Sequence, residues 1–303
     1  MKFFLINIFL FALVFFIFDR SFLFIVNYSA RQEVDKRLEL LINGKINKDV
    51  IILGSSRGAR DIIARQLEIK TGLTAFNLSY PGGEIEFQEF LLRTLIQFNK
   101  KPQSVILTID EPIEFLPFEN VKFRTDRLYP LVKYDYIIKE LIRRKEKNEI
   151  LSRFSILHRI NKRNFDLTKK KFTALDTILP CGSMPISFQR VGYKWKYEDQ
   201  NESYSIESEV GLKVNWFKKI IEICNRNNIK LIIAFPPNYG FHNKLFEKRI
   251  RDLVGTTGII YIYNLDNPIY HDKEYFYDVS HLTLKGAEIF TDELGSFINS
   301  KIR

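Results

Sequence analysis

Val50-Ile51-Ile52-Leu53 is an uninterrupted apolar run that stops at Gly54. Runs of this kind read as strands buried on both faces, which is how a parallel sheet covered by helices is written in sequence. Four further strands are predicted, at Leu73–Ser79, Ser104–Ile109, Lys230–Phe235 and Gly258–Tyr263. Between them lie segments whose apolar residues recur at helical spacing. One follows Gly58 and runs to about Lys70. Another, Glu84–Asn99, carries Phe87, Phe90, Leu91, Leu95 and Phe98 on one face. Helices are also predicted over Val210–Asn227, Phe241–Val254 and Leu284–Ile302. The β-α-β-α-β order implies parallel strands joined by right-handed crossovers. The expected fold class is α/β, with three layers (α/β/α) around a central parallel sheet of about five strands.

Two segments stand outside that rhythm. From Phe3 to Phe18 the chain is almost wholly apolar, Asp19-Arg20 interrupts, and Ser21–Tyr28 resumes the pattern. A helix of 16 residues spans roughly 24 Å, short of the ~30 Å hydrocarbon core, so part of the second run completes the span. The region is long and lacks a small-residue cleavage site before Arg31, which favours an uncleaved anchor over a signal peptide. Residues 1–30 are thus expected to be an N-terminal transmembrane helix, a signal-anchor. Residues 31–48 read as a helical connector with Val34, Leu38, Leu41 and Ile42 on one face. From Ile113 to about Ser205 the periodicity fades. Helical pieces are predicted at Asp135–Lys145 and Glu149–Asn161, and Thr177–Tyr197 reads as loops with exposed Tyr193, Trp195 and Tyr197. Residues 49–303 would then form one α/β domain with an insertion at about 113–205 over the carboxyl edge of the sheet.

The net charge of +10 favours anionic surroundings such as phospholipid headgroups. Its densest runs, Arg143-Arg144-Lys145 and Lys169-Lys170-Lys171, read as solvated helix faces, and no nucleic-acid motif accompanies them. Cys181 and Cys224 permit one disulfide in an oxidising compartment, although Cys224 sits where a small core residue belongs. Four histidines are too few and scattered for a zinc cluster, so neither a metal nor a cofactor is expected.

Two stretches carry residues with chemistry. Gly54-Ser55-Ser56 places hydroxyls at the carboxyl end of a strand where a helix begins, the position at which open α/β sheets bind ligands. Serine is also a favoured helix N-cap, and spacing alone does not say which serine matters. In Asp278-Val279-Ser280-His281 the carboxylate can accept from one imidazole nitrogen and leave the other free to take a proton from a hydroxyl. A capping Asp beside an incidental surface His is the plainer alternative.

Taken together, these blocks resemble the SGNH/GDSL hydrolase superfamily over most of residues 49–303 outside the insertion. Leu53-Gly54-Ser55-Ser56 looks like that family's strand–Gly–Asp–Ser block with Ser replacing Asp, which matches the nucleophile to Ser56. Asn77 and Gly82 resemble its Asn-x-x-x-x-Gly block, implying that the Gly82 amide joins the Ser56 amide in an oxyanion hole. Asp278 and His281 match its Asp-x-x-His. The chain departs at the third block: Asp110-Glu111-Pro112 stands where the family has Gly-x-Asn-Asp, and an ionised Asp110 cannot donate to an oxyanion. Arg57 is a substitute by proximity.

The resemblance implies a flavodoxin-like sheet and a Ser56–His281–Asp278 triad without cofactor. The Gly-Ser-Ser opening and the anchor look like the membrane-anchored DltD-like and polysaccharide O-acetylation-type members. It therefore implies an esterase or O-acyltransferase acting on a cell-envelope or extracellular glycan, on the extracytoplasmic side of the cell membrane. Its partners would be the lipid bilayer, the glycan and a membrane-bound acyltransferase, with no nucleic acid. The positive residues Arg20, Arg31, Lys36 and Arg37 after the apolar run argue for the opposite orientation. A non-catalytic envelope protein that binds or assists a membrane acyltransferase is the alternative from another class.

Overall fold

The computed structural model describes residues 1–165, 173–195, 203–240 and 242–302. The Lys169–Lys171 run and Tyr197 lie outside the described residues. The chain opens with α1 (Lys2–Ser21), α2 (Leu23–Gln32) and α3 (Arg37–Ile42). β1 (Val50–Leu53) leads into α4 (Ser56–Asp61) and α5 (Ala64–Thr71), and β2 (Ala75–Asn77) into α6 (Ile85–Phe98). β3 (Ser104–Thr108) is followed by α7 (Thr125–Leu128), α8 (Asp135–Arg143) and α9 (Glu149–Phe154). After the irregular segment come α10 (Gly211–Arg226), β4 (Lys230–Phe235), α11 (Lys244–Val254), β5 (Gly258–Ile262), β6 (Phe276–Asp278), β7 (His281–Leu282) and α12 (Leu284–Ile302).

The five strands β1–β5 form one parallel sheet in the order β2-β1-β3-β4-β5. The central strands explain the uninterrupted apolar runs: every residue of β1 and of β3 is buried, because helices cover both faces. On one face Val50, Ile52, Ile106 and Ile232 pack with Leu67 of α5 and with Ala287, Phe290, Leu294 and Ile298 of α12. The spacing of those four α12 residues puts them on one helical stripe. Each large side chain so buried contributes roughly 2–3 kcal/mol. Elsewhere α6 and α10 pack together, with Phe87, Phe90, Leu91 and Leu95 buried as their spacing predicts. The strand order reverses between β1 and β3, so the carboxyl ends of these two strands flank the crevice where such sheets bind ligands.

Several predicted elements differ, and the helix expected over Glu149–Asn161 ends at Phe154. The single helix expected up to Lys70 is two, broken at Ile62-Ile63, where the Ile62 carbonyl accepts from Asn77 Nδ2 and Ser183 Oγ. Side chains thus take up the carbonyl that the break frees. Phe276–His281, expected as loop, contains the β6–β7 hairpin. Val34 lies outside α3, while Leu38, Leu41 and Ile42 are buried as predicted.

The chain divides into a unit of residues 1–39 and 124–171 and a second of 40–123 and 172–303. In the first unit α1 is exposed from Phe3 to Phe18, whereas α2 buries Val26, Ser29 and Ala30. Asn164 Nδ2 donates to Ser29 Oγ (3.2 Å) and to the Tyr129 carbonyl (2.7 Å), and Lys133 Nζ reaches Glu39 at 2.7 Å. The second apolar run is therefore partly protein core. The 20 residues of α1 alone extend roughly 30 Å, the thickness of a hydrocarbon core. In the second unit the segment after Pro180 is held by α4 and the start of α12: the Met184 amide donates to the Ala59 carbonyl (2.7 Å) and the Leu284 amide to that of Ile186 (2.6 Å). Cys181 and Cys224 are both free thiols, and Cys224 is a core residue.

Candidate active site

At the carboxyl end of β1 the chain turns through Gly54. A Cβ there would fall 1.8 Å from Thr108 Oγ1, so β1 and β3 approach each other as only glycine allows. The two serines that follow diverge. Ser55 is buried; its Oγ accepts from the Arg57 amide (3.4 Å) as the N-cap of α4 and donates to Asp110 Oδ1 (2.7 Å). Ser56 is half-buried, and its Oγ lies 2.8 Å from His281 Nε2.

Asp278 and His281 are opposite one another in the β6–β7 hairpin. His281 Nδ1 is 2.8 Å and 3.0 Å from the two Asp278 carboxylate oxygens. Asp278 Oδ1 also accepts from the amides of Ser280 and His281, each at 3.0 Å. Burial pushes this carboxyl up, but the hydrogen bond and charge of His281, with the Ser280 donors, outweigh it and hold the group at about 2. An ionised Asp278 assigns the imidazole proton to Nδ1. Nε2 is then an acceptor facing the Ser56 hydroxyl, as a general base requires.

Asp61 is a residue that pattern reading passes over. It ends α4, the helix that Ser56 begins, and is fully buried. Its Oδ1 accepts from the Leu282 amide at 2.9 Å, so α4 carries Ser56 at one end and at the other holds the hairpin that bears His281. Burial raises its carboxyl to about 7, against the opposing pull of His281 and Arg57. The available signal is a carboxylate set directly before the apolar Ile62-Ile63-Ala64.

The remaining predicted residues divide by role. Gly82 lies in the loop after β2 with φ of 70°, a conformation that favours glycine. Two residues earlier, the Tyr80 amide donates to the Gly54 carbonyl (3.0 Å), which ties that loop to the serine turn. Asn77 is buried and spent internally: Nδ2 donates to the carbonyls of Gly58 (2.8 Å) and Ile62 (3.0 Å), and Oδ1 accepts from the Ser79 amide (2.9 Å). It shapes the turn rather than meeting substrate. Arg57 is also buried, and its guanidinium donates to the carbonyls of Ile109 and Pro236 beyond β3 and β4. These bonds make it a strut between strand ends and give no support to a role as third oxyanion donor. Asp110 receives Ser55 Oγ, and its own amide donates to Glu114 Oε2 (2.9 Å). Burial and the neighbouring Asp110 push Glu114 up to about 8.

Tyr193 and Trp195, expected to be exposed, are half-buried. Trp195 packs edge-on against both Tyr193 and Tyr239, each at 5.1 Å between centroids, and the Tyr239 amide donates to the Val279 carbonyl inside the hairpin (2.8 Å). Aromatic packing therefore buttresses the loop between Asp278 and His281. No group of three or more metal-ligating side chains occurs among the described residues. No protein-family model matches this chain, and no curated protein is significantly similar to it.

Proposed function

We propose that the chain is a membrane-anchored, serine-dependent acyl-ester enzyme with Ser56 as nucleophile, His281 as base and Asp278 as its orienting carboxylate. One observation carries this reading: the unbroken line from Ser56 Oγ to His281 Nε2 (2.8 Å) and from His281 Nδ1 to Asp278 (2.8 Å). In the first step Ser56 Oγ bonds to the acyl carbon while its proton passes to Nε2. Collapse of the tetrahedral intermediate breaks the ester bond, and the imidazolium returns that proton to the leaving oxygen. A second acceptor, deprotonated by His281, then bonds to the acyl carbon; the bond to Ser56 Oγ breaks and the imidazolium returns the proton to that oxygen. Water as acceptor makes a hydrolase; a sugar hydroxyl makes an O-acyltransferase.

Ser56 and Gly82 supply the oxyanion amides in this scheme, and each such donor is worth roughly 3–4 kcal/mol in the transition state. Among the described residues neither amide has a hydrogen-bond acceptor within the chain. The resemblance to the SGNH/GDSL superfamily and its DltD-like members supports a substrate on an envelope glycan and a domain on the extracytoplasmic side. The exposed apolar α1, long enough to cross a bilayer, supports the anchor. The Asp110 carboxylate, standing where that superfamily has an asparagine donor, favours a second reading: a non-catalytic envelope protein that assists a membrane acyltransferase.

A serine-reactive fluorophosphonate, applied to the full chain in detergent, separates the two. Labelling that disappears in Ser56→Ala is expected. An unlabelled wild type, or label that survives Ser56→Ala, leaves only the non-catalytic reading. Orientation is tested by protease in spheroplasts, where the domain should be digested; full protection would place it in the cytoplasm.

A further inference from the structure

The charge pair Asp19-Arg20 interrupts an otherwise apolar helix, and its partners explain why. The Asp19 carboxylate is 3% exposed and accepts three hydrogen bonds, from Ser155 Oγ (2.6 Å), the Ile156 amide (2.9 Å) and the Leu157 amide (3.0 Å). Arg20 lies over the Phe16 ring at 4.8 Å and donates from Nη2 to the Phe154 carbonyl (3.1 Å). Two consecutive residues at the end of α1 thus grip four consecutive residues, Phe154 to Leu157. The segment that follows α9 is fixed at one level of the apolar helix.

That level matters because of what α9 leaves uncovered. Ile150 is 69% exposed, Phe154 75% and Leu151 46%, and Phe165 further on is 49% exposed. Large apolar side chains gathered in this way mark an interaction surface. The end of α9 adjoins the end of the lipid-length helix, whose own Phe3–Phe18 surface is bare. The surrounding sequence is cationic: residues 143–163 hold eight Lys or Arg against two Glu, a net +6, with Arg143, Lys145, Arg153, Lys162 and Arg163 exposed. Apolar anchors ringed by exposed cations are how a protein segment lies in the headgroup layer of an anionic membrane.

We propose that residues 149–165 form a second membrane contact, with Ile150, Leu151, Phe154 and Phe165 seated in the interface of the same bilayer that α1 spans and the flanking cations on anionic headgroups. The occupant is phospholipid. This rests on the reading of α1 as a transmembrane anchor. Salt screens the cations from the headgroups, so the contact weakens as ionic strength rises.

The test uses the full chain in nanodiscs of phosphatidylcholine with or without phosphatidylglycerol. A spin label is placed in turn at Leu10→Cys, Phe154→Cys and Leu212→Cys, in a Cys181→Ser, Cys224→Ala background. All three sites are exposed in the structure. Collision with oxygen and with a water-soluble nickel chelate reports depth. The expected order is position 10 in the hydrocarbon, 154 at headgroup depth and 212 in water, with 154 moving outward in discs without phosphatidylglycerol. If 10 is in the hydrocarbon while 154 collides with nickel as freely as 212, the proposal fails and the anchor stands. A label at 154 that neither reagent reaches also overturns it, in favour of a protein neighbour. A water-exposed label at 10 removes the anchor itself. Because Phe154 is exposed, its substitution leaves the fold intact, and the double variant Lys162→Glu/Arg163→Glu provides a second reading: its 154 label should lose the dependence on phosphatidylglycerol.

Discussion

Ser55 and Ser56 are adjacent and chemically identical, yet their surroundings give them different work. Ser55 Oγ is occupied twice, by the Arg57 amide and by Asp110, and is buried. Ser56 Oγ faces an imidazole nitrogen and is half-open. Ser56→Ala should therefore abolish reaction with an active-site phosphonate and leave the thermal midpoint within a degree or two. Ser55→Ala should retain labelling and lose about 1 kcal/mol of stability, the worth of a helix cap. The reverse pattern would assign the nucleophile to Ser55. Asp278 allows a sharper test. Asp278→Asn keeps the shape but offers an amide that can present N–H to Nδ1 and so favours the wrong tautomer; the expected loss in acylation rate is about 10³–10⁴-fold, read by stopped-flow labelling. A tenfold loss or less would mean that Asp278 acts only as a cap for the amides of Ser280 and His281.

At the scale of elements, the strands were the legible part, for a physical reason. A strand buried on both faces must be apolar throughout, so β1, β3 and β4 stand out of the sequence almost to the residue. The hairpin β6–β7 is only three and two residues long. Its pairing is held by tertiary bonds, including the one from the Leu282 amide to Asp61, that no local pattern records. The break between α4 and α5 is hidden for the same reason, since Asn77 and Ser183 arrive from distant parts of the chain to take the Ile62 carbonyl. The contact between Asp278 and His281 was legible because the two lie three apart on one hairpin; the strut role of Arg57 was not, because its partners sit beyond two other strands. The tightest point between elements is Gly54. Gly54→Ala should cost about 1–3 kcal/mol through overpacking against Thr108 Oγ1. Adding Thr108→Ala removes that atom and should restore part of the loss. Denaturant midpoints for the double-mutant cycle check this; strictly additive losses would show that backbone conformation, not the contact, sets the cost.

For the whole molecule, buried titratable groups of the sheet unit share a sign. Burial raises Asp61 from 3.8 to about 7, and burial with the nearby Asp110 raises Glu114 from 4.5 to about 8. His242 is penalised by burial, but Glu111 (3.0 Å) and Glu247 (2.7 Å) overcome that penalty and raise it above 6.5. In each case the folded state holds its proton more tightly than the unfolded chain. The stability this lends is complete below the unfolded pKa, near 4 for the two carboxyls and 6.5 for His242, and is lost as pH rises through the folded value. Asp278 has the opposite sign, but its window lies between about 2 and 3.8, below the range in question. The thermal midpoint of the full chain in detergent should therefore fall between pH 5.5 and pH 9. Asp61→Asn separates this from a general alkaline effect. Asn can still accept from the Leu282 amide through its oxygen, and it has no charge to leave buried. The variant should melt above the wild type at pH 8, converge with it only as the pH falls below about 4, and show a flatter profile between pH 4 and 7. If it melts below the wild type at pH 8, the ionised carboxylate is itself a stabilising partner of His281, and the cost assigned here to burying Asp61 is outweighed by that attraction.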